Sequence, residues 1–207
     1  MASMPNRRAE IRHTREQSRE RIVAAAEELV RRSSFGELTV DDVMREAGFG
    51  RTIFYRHFDD LADLFMRAGR EAIDDLLSAQ VAFGQARMGD GPDVVRSAIE
   101  PAVAAYRRHG PLLRAIAEAS AADERIGAGQ QAIRERFREL VEEVLRASPR
   151  LAVGPQADVA EVARALNLMN ENYLLEAFGS EPRVSAETAT LTLSSIWTAL
   201  INPPAPG

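Results

Sequence analysis

Arg51, Thr52, Tyr55 and Arg56 fall on one face when the segment from Arg51 to His57 is wound as a helix at roughly 100° per residue, and Ile53, Phe54 and Phe58 fall on the other. Guanidinium, hydroxyl and phenol groups arranged this way donate hydrogen bonds to phosphates and base edges from a helix seated in a DNA major groove. His57 lies beside Ile53 and Phe54 on the same wheel. A second constellation lies in the stretch 156–178, where Val159, Val162, Ala163, Leu166, Met169, Tyr173, Leu174 and Ala177 make an apolar face. Asn170 sits near the middle of that face, and Asn167 one turn earlier at its edge. An unpaired carboxamide buried there costs about 1 to 3 kcal/mol. Asn170 therefore either bonds a neighbouring helix or anchors the carbonyl or amide of a ligand in an apolar cavity.

No comparable grouping supports catalysis. His13, His57 and His109 are scattered along the chain, and Glu10 with His13 has the helical spacing of a metal pair but no second motif beside it. A glycine-rich phosphate loop and a nucleophile elbow are both lacking, and without cysteine there is neither a disulfide nor a thiolate metal site. The sequence predicts a non-enzyme that needs no metal and no cofactor.

These side chains must be positioned by helices. Thr39 precedes the apolar pattern Val40, Val43, Met44 and Ala47, and Asp42 completes a capping-box spacing, so a helix starts at Thr39 and stops at Gly48. With the helix from Arg51 this makes a helix-turn-helix; the alternative on pattern alone is an amphipathic hairpin with solvated polar faces. A first helix is expected from about Glu16 to Arg32. Ahead of it, residues 1–15 read as a basic arm, suited to phosphates or a neighbouring minor groove, or else a solvated disordered tail. Within the first 21 residues, where this arm runs into the first helix, Arg7, Arg8, Arg12, Arg15, Arg19 and Arg21 outnumber Glu10, Glu16 and Glu20. The formal charge of −5 conceals an asymmetry. Residues 1–58 hold 11 Arg against 9 acidic residues, while the remainder holds 15 Arg against 22, so only the N-terminal part is electrostatically fitted to DNA.

The rest of the 207-residue chain reads as helical, with no alternating run long enough for a strand. One helix is expected from Asp59 or Asp60 to about Phe83, and others at about 93–108, 111–121, 124–147, 156–178 and 185–201. Gly89-Asp90-Gly91-Pro92 breaks the chain, and Ser148 to Pro155 is the longest loop. The expected fold is all-α with nine helices. Residues 16–60 form a three-helix helix-turn-helix domain, 61–202 a C-terminal helical domain, and 203–207 a disordered tail.

The residues Phe35-Gly36, Thr39-Val40, Val43, Ala47-Gly48, Thr52, Tyr55, His57-Phe58 and Leu64-Phe65 resemble, in register, the DNA-binding domain of the TetR family of transcriptional regulators. Two positions depart from the family pattern: Gly50 replaces the usual Ser, and Leu61 replaces the usual Lys, removing one phosphate contact. The resemblance implies operator contacts from Thr39, Arg51, Thr52, Tyr55, Arg56 and His57, with His57 on the phosphate backbone. The segment Ala165 to Glu171 with Phe178, followed by Ser195-Ile196-Trp197, resembles the ligand-binding half of one branch of the family. In that branch the two Asn of the motif line a hydrophobic tunnel. The likeness implies a site made by Val95, Ile99, Tyr106, Leu166, Asn167, Asn170, Tyr173, Leu174 and Trp197. Val95, Ala102 and Val103 stand where the branch has larger aromatic side chains, which implies a wider tunnel and a different ligand.

From Thr188 to Ile201 no residue is charged: Leu191, Leu193, Ile196, Trp197, Leu200 and Ile201 alternate with Thr, Ser and Ala. A surface helix of a monomer shows a charged face, so this helix is expected to be covered on two sides, either inside its own core or by its copy in a dimer, with Leu193 at the seam. The absence of an apolar run of roughly 18 residues and of a signal-peptide core predicts a cytoplasmic protein with no membrane partner. The expected function is that of a homodimeric repressor on a palindromic double-stranded DNA operator, released by a small hydrophobic or amphiphilic ligand. The alternatives are an activator or a regulator controlled by a protein partner, and, from another class, a helical lipid carrier.

Overall fold

The computed structural model describes residues 7–86, 91–148, 151–154 and 156–202. Among them are nine α-helices and one 3-10 turn, with no strand: α1 (Arg7–Arg32), the turn Phe35–Glu37, α2 (Val40–Ala47), α3 (Arg51–Phe54), α4 (Leu61–Ala68), α5 (Arg70–Gln85), α6 (Pro92–Ser120), α7 (Glu124–Ala147), α8 (Val159–Phe178) and α9 (Ala186–Ile201). Short polar side chains start most of them. Thr39, Asp60, Asp123, Asp158 and Ser185 each accept a hydrogen bond from a backbone N–H of the first turn, groups that have no partner within a helix.

The expected number of helices holds among the described residues, but several of their boundaries differ. The helix expected from Asp59 to Phe83 is interrupted at Gly69, where a Cβ would lie 2.4 Å from Cδ1 of Ile116, so a side chain there would require Ile116 of α6 to move. Conversely, the helices expected at 93–108 and 111–121 are one. Gly110-Pro111 reads as a breaker, yet α6 runs through both Pro101 and Pro111. A proline forgoes one helical hydrogen bond. At Gly110 a Cβ would lie 2.0 Å from the carbonyl oxygen of Phe178, so the glycine permits contact with α8 rather than ending a helix. Helix α1 also begins at Arg7, inside the stretch expected to be an arm; residues 1–6 and the tail 203–207 lie outside the described residues, as do the side chains of Glu10 and His13.

Two cores result. In the first, Ile22, Ala25, Ala26, Leu29 and Val30 form the inward stripe of α1, packed on Val43 and Met44 of α2, Phe54, Phe58, and Leu64 and Phe65 of α4. Leu112, Ala115, Ile116 and Ala119 of α6 and Ile126 of α7 belong to this same core. The second core joins α5 to α9 around Trp197, Phe83, Val95, Val103, Leu145 and Phe178. Helix α6 thus supplies side chains to both.

Candidate nucleic-acid interface and effector cavity

Local chemistry fixes the helix-turn-helix. The Thr39 hydroxyl accepts the Asp42 N–H at 3.2 Å and the Asp42 carboxylate accepts the Thr39 N–H at 3.1 Å. The same hydroxyl donates to the Asp42 carboxylate at 2.5 Å, and this bond first, then the one from the Thr39 N–H, hold Asp42 below the ordinary carboxylate range. At the turn Gly48 takes φ 72°, the left-handed cap that glycine adopts without penalty. Arg21 fastens that turn by donating to the Ala47 carbonyl at 2.8 Å while its guanidinium lies over the Phe49 ring, so this arginine serves the fold, where the sequence grouped it with the basic arm.

Helix α3 is shorter than expected, ending at Phe54 and continuing as turns through His57. The two faces are as the wheel places them: Phe54 and Phe58 are buried, and Thr39, Arg51, Thr52, Tyr55 and Arg56 are exposed, Tyr55 at 51%. Arg51 donates to the Tyr55 hydroxyl at 3.1 Å and pairs with Asp41 at 3.2 Å. An exposed pair of this kind is screened by water, adds little to stability and exchanges readily for a phosphate. His57 is half-buried, its Nε2 2.9 Å from the Ser18 hydroxyl, and Arg15 reaches across from α1 to the Arg56 carbonyl at 3.0 Å. Burial first, then the cations Arg15 and Arg19, push the His57 imidazole below its ordinary value of 6.5.

Between α5, α6, α7 and α8 lies a cavity of about 310 Å³, at the small end of the range for bound small molecules. Ile99, Tyr106, Asn167, Asn170 and Leu174 line it, as the sequence reading placed them. Val95, Leu166, Tyr173 and Trp197 do not line it. On α8 the residues facing the cavity are Asn167, Asn170, Glu171, Leu174 and Leu175, a stripe at i, i+3, i+4, i+7 and i+8; Leu166 and Tyr173 each sit one residue off it and pack on the core. Val95 and Trp197 are fully buried in the second core.

The cavity's polar groups sort by whether they have partners. Asn167 donates to the Arg134 carbonyl at 3.2 Å, and the Asn170 oxygen accepts the Trp197 indole N–H at a long 3.4 Å. Arg134 and Glu171 form a two-pronged pair with both contacts at 2.7 Å. Tyr106 is buried beside them, which drives its phenol to titrate well above its ordinary value. Gln80 on α5 and Gln130 on α7 differ from these: the Oε1 of each is buried with no hydrogen-bond partner among the described residues. Neither is among the residues expected from the sequence, although each interrupts an apolar helical stripe, Ile73-Leu76-Gln80-Phe83 and Ile126-Gln130-Ile133-Phe137, as Asn170 does on α8.

One side chain ties this region to the helix-turn-helix. Arg114 of α6 donates to the carbonyls of Val30 and Ser33 at the end of α1, at 2.7 and 3.3 Å, and to Gly179 at the end of α8, at 2.8 Å. Its partner Glu118 accepts the Phe35 N–H at 2.7 Å.

Residues 22–68 match the family described as bacterial regulatory proteins, tetR family, and residues 95–202, more than half of the chain, match the C-terminal domain of the transcriptional regulator EthR. The chain belongs to the TetR family. This TetR-family protein is a DNA-binding transcriptional regulator and not an enzyme. It is similar to the HTH-type transcriptional regulator EthR of Mycobacterium tuberculosis, at 28% identity over 206 residues, covering 97% of this chain and 94% of that one. It is also similar to EthR of Mycolicibacterium smegmatis, at 25% identity over 185 residues, covering 85% and 82%. Among solved structures its fold matches the TetR family regulator PfmR of Thermus thermophilus, with a TM-score of 0.68 at 19% identity, over 85% of this chain and 96% of that one. A TetR-like regulator of a Rhodococcus species matches with a TM-score of 0.67 at 18% identity, over 89% and 94%. No helix among the described residues of this TetR-family protein is long and apolar enough to cross a membrane.

Proposed function

We propose that this protein is a homodimeric repressor that holds a palindromic operator through Thr39, Arg51, Thr52, Tyr55, Arg56 and His57. A small hydrophobic or amphiphilic ligand in the α5–α8 cavity releases it. The observation that carries this reading is the sharing of helices: α6 and α7 line the cavity and also contribute Leu112, Ile116 and Ile126 to the core on which the helix-turn-helix rests. Ligand binding that displaces these helices shifts the population toward a dimer whose recognition helices no longer span the roughly 34 Å between successive major grooves. Ile99, Tyr106, Asn167, Asn170 and Leu174 form the wall against which the apolar body of the ligand rests.

The dimer face is the outer side of α9, where Leu191 and Ile196 are 45% and 40% exposed among exposed Thr188, Thr192, Ser195 and Ala199. Leu193 is not at that seam, as the sequence reading had it. It is buried in the protomer's own core and reaches the cavity wall. The polar face of α3 serves DNA contact and has no use in a lipid carrier. The test is a gel-shift assay on fragments selected from the host genome, with an amphiphile titrated against the complex. Selection of an inverted repeat and dissociation by amphiphile support the proposal; fragments without dyad symmetry, or a complex indifferent to every amphiphile that raises the melting temperature, would sink it.

A further inference from the structure

The two carboxamides whose oxygens lack partners occupy a defined place along the cavity. Helices α5 and α7 both start beside the DNA-binding core: α5 follows directly on α4, and at the start of α7 Arg125 pairs with Asp60 at 2.8 Å. They therefore run the same way, and the Phe83 and Phe137 rings meet at 5.6 Å farther along, with Phe83 edge-on to Trp197. At a rise of about 1.5 Å per residue, Gln80 lies about 4.5 Å and Gln130 about 10.5 Å nearer the DNA-binding core than this aromatic cluster. The cavity thus has an aromatic end, where Asn170 is engaged by Trp197, and a carboxamide end that faces the helix-turn-helix.

Charge in the wall is balanced. Arg134 is matched by Glu171, and Arg125 by Asp60 and Asp123. A charged head group would leave water for a site with no free counter-charge, so the wall favours a neutral one. A buried amide oxygen needs a donor, and an ester or ketone offers none.

We infer that Gln80 and Gln130 form a polar subsite for a neutral head group bearing N–H or O–H donors, such as a primary carboxamide or an alcohol, on an apolar chain directed toward Phe83 and Phe137. The inference rests on reading the cavity as the effector site and adds which chemistry it selects. A carboxamide head is the best match, because it answers both the C=O and the NH2 of a glutamine.

Decanamide and methyl nonanoate have equal numbers of non-hydrogen atoms, and only the first has donors. Calorimetric titration of the full-length protein should give decanamide the lower Kd by roughly three- to tenfold for each hydrogen bond made. In Gln80→Leu and in Gln130→Leu that preference should shrink toward unity through loss of decanamide affinity, while the ligand-free melting temperature is not lowered, because the leucine replaces a group without a partner. Equal binding of the two compounds by the parent protein, or a preference that survives both substitutions, overturns the subsite and leaves the effector cavity standing. A ligand-free Gln80→Leu and Gln130→Leu that both melt lower than the parent would also overturn it, since the oxygens would then be bonded within the protein. Binding of neither compound overturns the cavity reading, and this inference with it.

Discussion

Arg51 and Tyr55 hold each other in place by a hydrogen bond and by the guanidinium lying 5.7 Å from the ring centre, so the free protein presents them pre-arranged. Alanine at either position should leave the fold intact, since both side chains are exposed, and should weaken operator binding by about 1 to 3 kcal/mol if the lost contact is to a base. Unchanged affinity of both variants at one fixed salt concentration would remove them from the interface. His57 gives a pH-dependent signal of definite sign. Its imidazole is pushed below the ordinary 6.5, so the unfolded chain binds the proton more readily. The stability contributed by neutral His57 is complete above that ordinary value and is lost as pH falls through the lowered one. Between about pH 7 and about pH 5 the melting temperature of the parent should therefore fall further than that of His57→Gln, measured by calorimetry in the same buffers. The contact face was legible in the sequence because the capping box that starts α2 and the glycine turn that ends it fix where α3 begins, which leaves only one wheel. Gln80 and Gln130 were not, because a glutamine within a mixed-charge helix reads as solvated until the partner helices that bury it are known.

Helices end on one another here, and Arg114 is where two of those ends meet. Three carbonyls without helical partners, two closing α1 and one closing α8, receive donors from a single guanidinium, which also suits the negative end of each helix dipole. Arg114→Met keeps most of the stem and removes the fork. It should destabilise the protein by about 1.5 to 3 kcal/mol, the range for hydrogen bonds to a charged group. It should also reduce the factor by which a bound amphiphile weakens DNA binding, a factor typically about 5 to 150 in allosteric proteins. Gel shifts with and without decanamide, beside the calorimetric Kd for the same compound, measure that factor; a coupling equal to that of the parent would mean that the signal bypasses Arg114. Nothing in the local sequence announced this role. Arg114 sits among Leu112, Leu113 and Ala115 in a stretch read as a separate short helix, and only the continuity of α6 through Gly110-Pro111 brings it to the two helix ends. The helix-breaking reputation of Gly-Pro was overridden by tertiary packing, because Gly110 is held against the backbone of Phe178.

For the molecule as a whole, the uncharged outer face of α9 leads to a prediction about assembly. Leu191→Arg and Ile196→Arg each place a guanidinium on the exposed side of the helix without disturbing the buried residues Leu193, Trp197 and Ile201. Each should convert a dimer into a folded monomer by light scattering at micromolar concentration and weaken operator binding with it; a dimer retained in both variants would place the interface elsewhere. A basic helix-turn-helix region followed by a more acidic helical region was legible from the charge asymmetry and the helix pattern. Their interdependence was not, because it lies in contacts distant in sequence. The core beneath the recognition helix is completed by Leu112, Ala115, Ile116, Ala119 and Ile126, residues that belong by sequence to the other domain. The DNA-reading head is consequently not a transferable part. Grafted onto another regulator at residue 68, where its family match ends, it would leave its packing partners behind, so its specificity would have to travel with a compatible stretch of α6 and the first turn of α7.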